Sequence, residues 1–354
     1  LFRSIDECRS GIRGRRTAWS LHGRRAGCFY GTGLTSIEIP EGVIGVKHWA
    51  FYNCPNLKEV KLPSTLKYIG ESAFGYAPIE EITLPQGLEW ISKCQDEDDE
   101  IWNDPDFAVT AFVGCNNLKS VYIPASVKFI GYYTFAQCNS LTSIVIDSAN
   151  KVYDSRNDCN AIIETSTNRL IGGCGTSVIP KGVKEVAQYS FWGQESLKSI
   201  AFPEGITSIG KAAFAFTGLT DLELPSTLEY IGERAFEDCK PEKIVIWNTE
   251  PKPIDEKAFS TRNNWSDELE GYVINDYIYE QATLVVPKGA KVAYMSTEGW
   301  EKFKNIEESE APTGINVIDT TPQRESIFYS LSGQRLTAPR KGINIIGGKK
   351  VVVK

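Results

Sequence analysis

Residues that carry chemistry are scarce in this chain. Its 354 residues include two histidines, His22 and His48, and one methionine. A Ser-His-Asp or Cys-His site needs an imidazole in an organised pocket. His22 instead sits in an irregular start and His48 at a repeated corner. No GxxxxGK[ST] or GxGxxG motif follows a strand pattern, and no CxxC or Cys/His cluster has zinc spacing. An enzyme is therefore not expected, and neither is a cofactor. Positive charge is in deficit: 38 Lys and Arg stand against 45 Asp and Glu, a net −7. A general nucleic-acid binder needs the opposite balance. No apolar run approaches the roughly 20 residues of a membrane-spanning helix.

What is present is repetition. Leu57 to Ala77 reads LKEVKLPSTLKYIGESAFGYA, and Leu118, Leu197 and Leu219 each begin a copy. The shared pattern is LxxIxIPxxVxxIGxxAFxxC. Starts are 23 residues apart from Leu34 to Leu57 and 22 apart from Leu197 to Leu219. A fixed period in this range signals a solenoid of stacked units.

Each part of the unit has a physical reading. Val60 and Leu62 alternate with Glu59 and Lys61, the period of a strand with one buried face. Pro63 lacks an N–H and ends that strand. Leu66 and Ile69 point inward again. Gly70, Gly131, Gly210 and Gly232 follow the second isoleucine, where a corner with positive φ is expected. The AFxxC segment reads as a short helical turn. Its phenylalanine recurs as Phe29, Phe51, Phe74, Phe112, Phe135, Phe191, Phe214, Phe236 and Phe259, which stacking would align into one buried column.

The consensus, repeated in phase over most of 28–259, resembles the BspA-type leucine-rich repeat family of bacterial surface proteins. The resemblance implies a leucine-rich-repeat solenoid, β-rich within the α/β horseshoe class, in a secreted or outer-surface protein. Its implied partner is a host extracellular-matrix protein or another surface protein. It brings no catalytic residues. It also makes this chain, which shows no signal peptide and does not begin with Met, read as a mature or truncated form of an exported protein. A monomer is expected.

Along the chain, 1–27 is irregular and arginine-rich. The solenoid occupies 28–306, with insertions near 92–109, 147–175 and 260–281. The first insertion is acidic, and Asp96, Asp98 and Asp104 are its weak metal-ligand candidates; no EF-hand spacing supports them, and a solvated loop is the expectation. In the second, Asp147 replaces the proline, and 161–163 with 169–171 reads as a hairpin. Segment 282–306 supplies a last strand and an amphipathic helix, with Tyr294, Trp300 and Phe303 capping the core. Residues 307–315 read as a linker. Residues 316–354 form a small β segment resembling a short form of a C-terminal outer-membrane sorting segment.

Of the nine cysteines, Cys54, Cys115, Cys138 and Cys239 share the last slot of the repeat. They read as small buried hydrophobes, and a Cys115–Cys138 disulfide is geometrically conceivable.

Two rows are candidate binding surfaces. On the first strand, Tyr122, Val145, Val178 and Ala201 alternate with inward residues such as Val121, Ile144, Ile200 and Phe202, so they are expected to face out as a protein-binding patch. On the return segment, Tyr68, Trp90 and Phe129 occupy one slot in successive units, with Tyr230 further on. If outward, they form an aromatic ladder for a glycan; if inward, they are core.

Overall fold

The computed structural model describes residues 27–93, 110–266 and 271–310, together with short strands at Phe328–Ser330, Arg335–Leu336, Gly342–Ile346 and Lys349–Val353. The arginine-rich start, the acidic insert with Asp96, Asp98 and Asp104, and the segment 311–327 lie outside the described residues. The four C-terminal strands form an antiparallel sheet. The chain makes two compact units, one from 1–166, 172–174 and 327–354, the other from 167–171 and 175–326.

In the first unit, the alternating residues build parallel ladders. Ser36–Glu38, Glu59–Lys61 and Glu81–Ile82 pair with Ile37, Val60 and Ile82 in one register row. Ser120–Ile123 pairs in parallel with Ser143–Ile146. The return segments form a second ladder, in which Gly45, Tyr68, Trp90 and Phe129 are register partners and so are Val46, Ile69, Ile91 and Ile130. In the second unit the return ladder runs through Arg169, Glu185, Ser208 and Tyr230. Its first-strand ladder joins Asp221–Leu224, Lys243–Ile246, Thr283–Pro287 and Asn305–Ser309, all parallel. Glu307 to Ser309, read as the start of a linker, therefore belong to a sheet.

The phenylalanine column forms as the repeat requires. Phe29, Phe51, Phe74, Phe112 and Phe135 are buried and stack at 5.0, 5.4, 5.6 and 5.6 Å between ring centroids. In the second unit Phe191, Phe214, Phe236 and Phe259 are fully buried and stack at 4.9, 5.4 and 5.0 Å. The expected cap closes on Phe259: Phe303 lies 5.4 Å and Trp300 6.1 Å from its ring. Tyr279, which the sequence did not single out, joins them at 5.9 Å.

Two local expectations are corrected. The AFxxC segment is not helical. Trp49, Phe51 and Asn53 donate their N–H groups to Glu71, Ala73 and Gly75 of the next turn, while Ala50 and Tyr52 donate back to Lys47 and Trp49. Ala212, Phe214 and Phe216 repeat this with Glu233, Ala235 and Glu237. An α-helical segment directs all its N–H groups along its own axis. Here a positive φ every fourth residue, as at Trp49 (53°) and Asn53 (54°) or Ala212 (48°) and Phe216 (59°), turns alternate N–H groups toward the neighbour. The left-handed conformations cost roughly 1 kcal/mol apiece, offset by a third ladder of inter-turn bonds that no single unit could make.

The second correction concerns Gly70, Gly131, Gly210 and Gly232, none of which has positive φ; Ser72, Tyr133, Ala212 and Arg234, two residues on, do. Gly210 and Gly232 answer to space instead. A Cβ on Gly210 would lie 2.5 Å from the Gln188 nitrogen, and one on Gly232 would lie 2.8 Å from that of Lys211. The bare backbone lets Gly210 and Gly232 donate to Val186 and Ile209 of the preceding turn at 2.8 and 2.9 Å.

The insertions are folded where they are described. Ala161–Glu164 pairs antiparallel with Tyr153–Asp154, and Arg169–Gly173 enters the second unit's return ladder. Thr261–Ser266 and Gly271–Asn275 form a bulged antiparallel hairpin. Cys54, Cys115, Cys138 and Cys239 are buried free thiols. Each donates to the carbonyl of the column phenylalanine one turn back, Phe29, Phe74, Phe112 and Phe214 respectively, at 2.9 to 3.2 Å. No Cys115–Cys138 disulfide forms, and burial pushes the Cys138 and Cys239 thiols up to about 12.

Candidate binding surfaces

The first-strand row is not the open face its alternation implies. Tyr122 is 1% exposed. Its hydroxyl donates to Asp147 Oδ2 at 2.7 Å, and Asp147 is itself buried. Asp147 Oδ1 meanwhile accepts from the Ala149 N–H at 2.9 Å. The aspartate that replaces the proline thus turns the chain and satisfies a phenol that would otherwise be an unpaired buried group. Ser120 and Ser143 are buried beside it, and both faces of the Ser120–Ile123 strand are out of solvent. Val145, the register partner of Tyr122, is half-buried. Val178 and Ala201 belong to the second unit and are exposed, but neither lies in a paired strand, and Ile200 is only half-buried.

The return-segment row divides. Tyr68 is buried because its ring occupies the space a side chain on Gly45 would need. Trp90 and Phe129 are half-buried. Lys128 Nζ stands 5.6 Å from the Trp90 ring centre, and Lys93 Nζ stands 5.4 Å from that of Phe129. Glu89 lies between two lysines, 2.7 Å from Lys128 and 3.3 Å from Lys67. The Lys128 hydrogen bond, against slight desolvation, holds its carboxyl below the ordinary range. Two ammonium groups over two half-open rings, with Lys67 and Glu89 alongside, make a locally basic, aromatic surface among the described residues. In the second unit the matching row is ionic, with Arg169 and Glu185 paired at 3.0 Å, and it ends in the exposed Tyr230.

A further row went unnoticed in the sequence. Tyr30, Tyr52 and Tyr76 follow the column phenylalanine in three consecutive turns. Tyr30 and Tyr52 stack at 5.5 Å, and Tyr52 and Tyr76 meet edge-on at 5.4 Å. The legible signal is an aromatic residue one or two places after the repeat phenylalanine.

Among the described residues, no three His, Cys, Asp or Glu side chains converge on a metal-sized site. His48 Nδ1 accepts from the Glu71 N–H at 3.1 Å and lies 3.8 Å from Glu71 Oε2. Burial lifts the Glu71 carboxyl to about 7. The described helices include none long and apolar enough to cross a membrane.

A family model for the BspA type leucine rich repeat region matches residues 25–95, 106–168 and 174–284 in six copies. No curated protein matches the chain. Among solved structures, it is similar to a leucine rich cell surface protein from Faecalibacterium prausnitzii A2-165, at 22% identity over 79% of this chain and 61% of that one, with a TM-score of 0.45. A leucine-rich repeat protein from Bacteroides ovatus ATCC 8483 is 22% identical over 80% of this chain and 63% of its own, with a TM-score of 0.46. The pneumococcal vaccine antigen PcpA is 19% identical over 78% and 80%, with a TM-score of 0.45. The chain thus spans 61% and 63% of the first two.

Proposed function

Because the chain belongs to the BspA-type leucine-rich repeat family, we propose that it is a binding protein of the cell surface or the extracellular space. Its partner is an extracellular protein bearing acidic side chains, and matrix proteins are the first class to test. One observation carries this reading: Trp90 and Phe129 are half-open, in register, and overhung by Lys128 and Lys93. Aromatic rings supply contact area at small entropic cost, and the lysines steer and register an acidic partner. This moves the contact away from the first-strand row, where Tyr122 is closed.

The test is binding of the full chain to immobilised, purified matrix proteins at several salt concentrations. Salt-sensitive binding that falls about tenfold or more in a Lys93→Glu, Lys128→Glu variant with unchanged melting supports the reading. Binding that ignores both substitutions moves the site elsewhere. Retention of uncharged oligosaccharides on Trp90 and Phe129 would make that row a glycan ladder instead.

A further inference from the structure

We propose that the tyrosine row at the AF edge of the first unit, Tyr30, Tyr52 and Tyr76, is a binding site for a neutral, linear polysaccharide. This is a different surface from the lysine-covered row and does not rest on the function proposed above.

The row is built into the fold. A Cβ on Gly75 would lie 2.8 Å from the Tyr52 ring, and one on Gly114 would lie 2.5 Å from the Tyr76 ring. The Tyr52 and Tyr76 rings therefore lie across the bare backbone of the next turn. Lying over Gly114 takes Tyr76 one turn further, where its hydroxyl donates to Gln137 Oε1 at 3.1 Å. Rings placed only to shield backbone would themselves be covered, yet Tyr30 is 57% and Tyr76 43% exposed. The edge is thus a line of phenols, one per turn, with Tyr30 and Tyr76 open and Tyr52 half-buried between them, ending in an amide.

Charge selects the ligand. Among the described residues, segments 27–36, 49–57, 72–79, 110–118 and 132–142 make up this edge and contain no Asp, Glu, Lys or Arg, in a chain that is 23% charged. The exposed residues flanking the rings include Asn53, Asn56, Asn116 and Ser140. A nucleic acid or sulfated glycan needs cations there, and an acidic or basic peptide needs the opposite charge. Amides and hydroxyls beside stacked phenols instead match a ligand of many hydroxyl groups and uncharged C–H faces. The C–H face of a pyranose rests on the electron-rich face of an aromatic ring, and the phenol and amide groups hydrogen-bond its hydroxyls. Successive rings then meet successive sugars of an extended chain.

The experiment is titration of the full chain with cellohexaose, laminarihexaose and mannohexaose, followed by calorimetry and tyrosine fluorescence, with a heparin hexasaccharide as the charged control. We expect at least one neutral hexasaccharide to bind and to change tyrosine emission, and heparin not to bind at this edge. Tyr30→Ala with Tyr76→Ala should weaken the neutral ligand about tenfold or more, with melting unchanged. Trp90→Ala should leave that affinity as it was. Failure of all three neutral sugars to bind at millimolar concentration overturns the proposal. So does affinity that survives the double tyrosine change, or a protein partner that binds this edge while the sugars do not.

Discussion

The two units place an aromatic pair at the same corner of the repeat and then treat it differently. Tyr52 and Tyr76 meet edge-on at 5.4 Å in the first unit, and Trp192 and Phe216 meet edge-on at 5.3 Å in the second. In the first unit the outer ring stays open and hydrogen-bonds along the edge. In the second, Arg262 from the hairpin insertion lies 4.5 Å above Phe216 and 5.3 Å from Tyr272. Its guanidinium pairs with Glu237 at 2.8 Å, and its backbone N–H bonds Asp238. Glu237 is 1% exposed, and Arg234 also reaches it at 3.6 Å. The aromatic pair is thus a property of the repeat. Whether it is available to a ligand is decided by what the insertion adds.

The hardest way to break the comparison is through the column both units share. Phe74→Ala and Phe214→Ala should each cost about 4 kcal/mol, read as loss of melting temperature. A much smaller loss in one of them would mean that the two cores are not equivalent. Next is the cover itself. Arg262→Ala strands a buried carboxylate that keeps only Arg234, and should destabilise by about 2–3 kcal/mol. It should also expose Phe216, so that the second edge comes to resemble the first. Unchanged stability would show the hairpin to be an ornament rather than a clamp.

A third contrast lies in the residue after the corner glycine. In the second unit Lys211 and Glu233 occupy this slot in successive turns and pair at 3.1 Å. In the first it is Glu71, buried against His48, with its carboxyl raised by burial to about 7 from 4.5. Between those values the folded chain holds a proton that the unfolded chain has released. Stability should therefore decline as pH rises from about 4.5 through about 7, by at most about 3 kcal/mol. Glu71→Gln should flatten that slope, and an identical pH profile in the variant would exclude Glu71 as its source. The smallest effect is expected where exposure is greatest: Tyr30→Ala with Tyr76→Ala should change stability by less than about 1 kcal/mol, because both rings stand largely in solvent.

Column, strands and terminal cap were legible because each follows from a local apolar period. The glycines were half legible. Their recurrence marked a constraint, but positive φ and close backbone approach leave the same letter in the sequence, and only the neighbouring turn separates them. The AF segment misread as helix for a related reason, since its N–H partners lie 21 or more residues away. Tyr122 failed because alternation reports one face of a strand and says nothing about whether the other is covered. Its partner Asp147 was visible only as a missing proline. Trp90 and Phe129 were found but not their lysines, because a cation over a ring leaves no spacing rule. The tyrosine edge was missed because the aromatic shifts from one to two places after phenylalanine between turns, which blurs its period.

Each of four cysteine thiols is tied to the phenylalanine carbonyl of the turn before it. Burial raises the Cys115, Cys138 and Cys239 thiols, the last two to about 12, and a thiol so raised presents almost no thiolate, so a chain in oxidising surroundings keeps these three from pairing for as long as its turns stay closed. Alkylation at Cys54, Cys115, Cys138 or Cys239 then requires that one turn part from its neighbour. The labelling rate at each position becomes a clock for that separation. Four such clocks, read site by site, would time the order in which the stack comes apart, without any probe being added to the molecule.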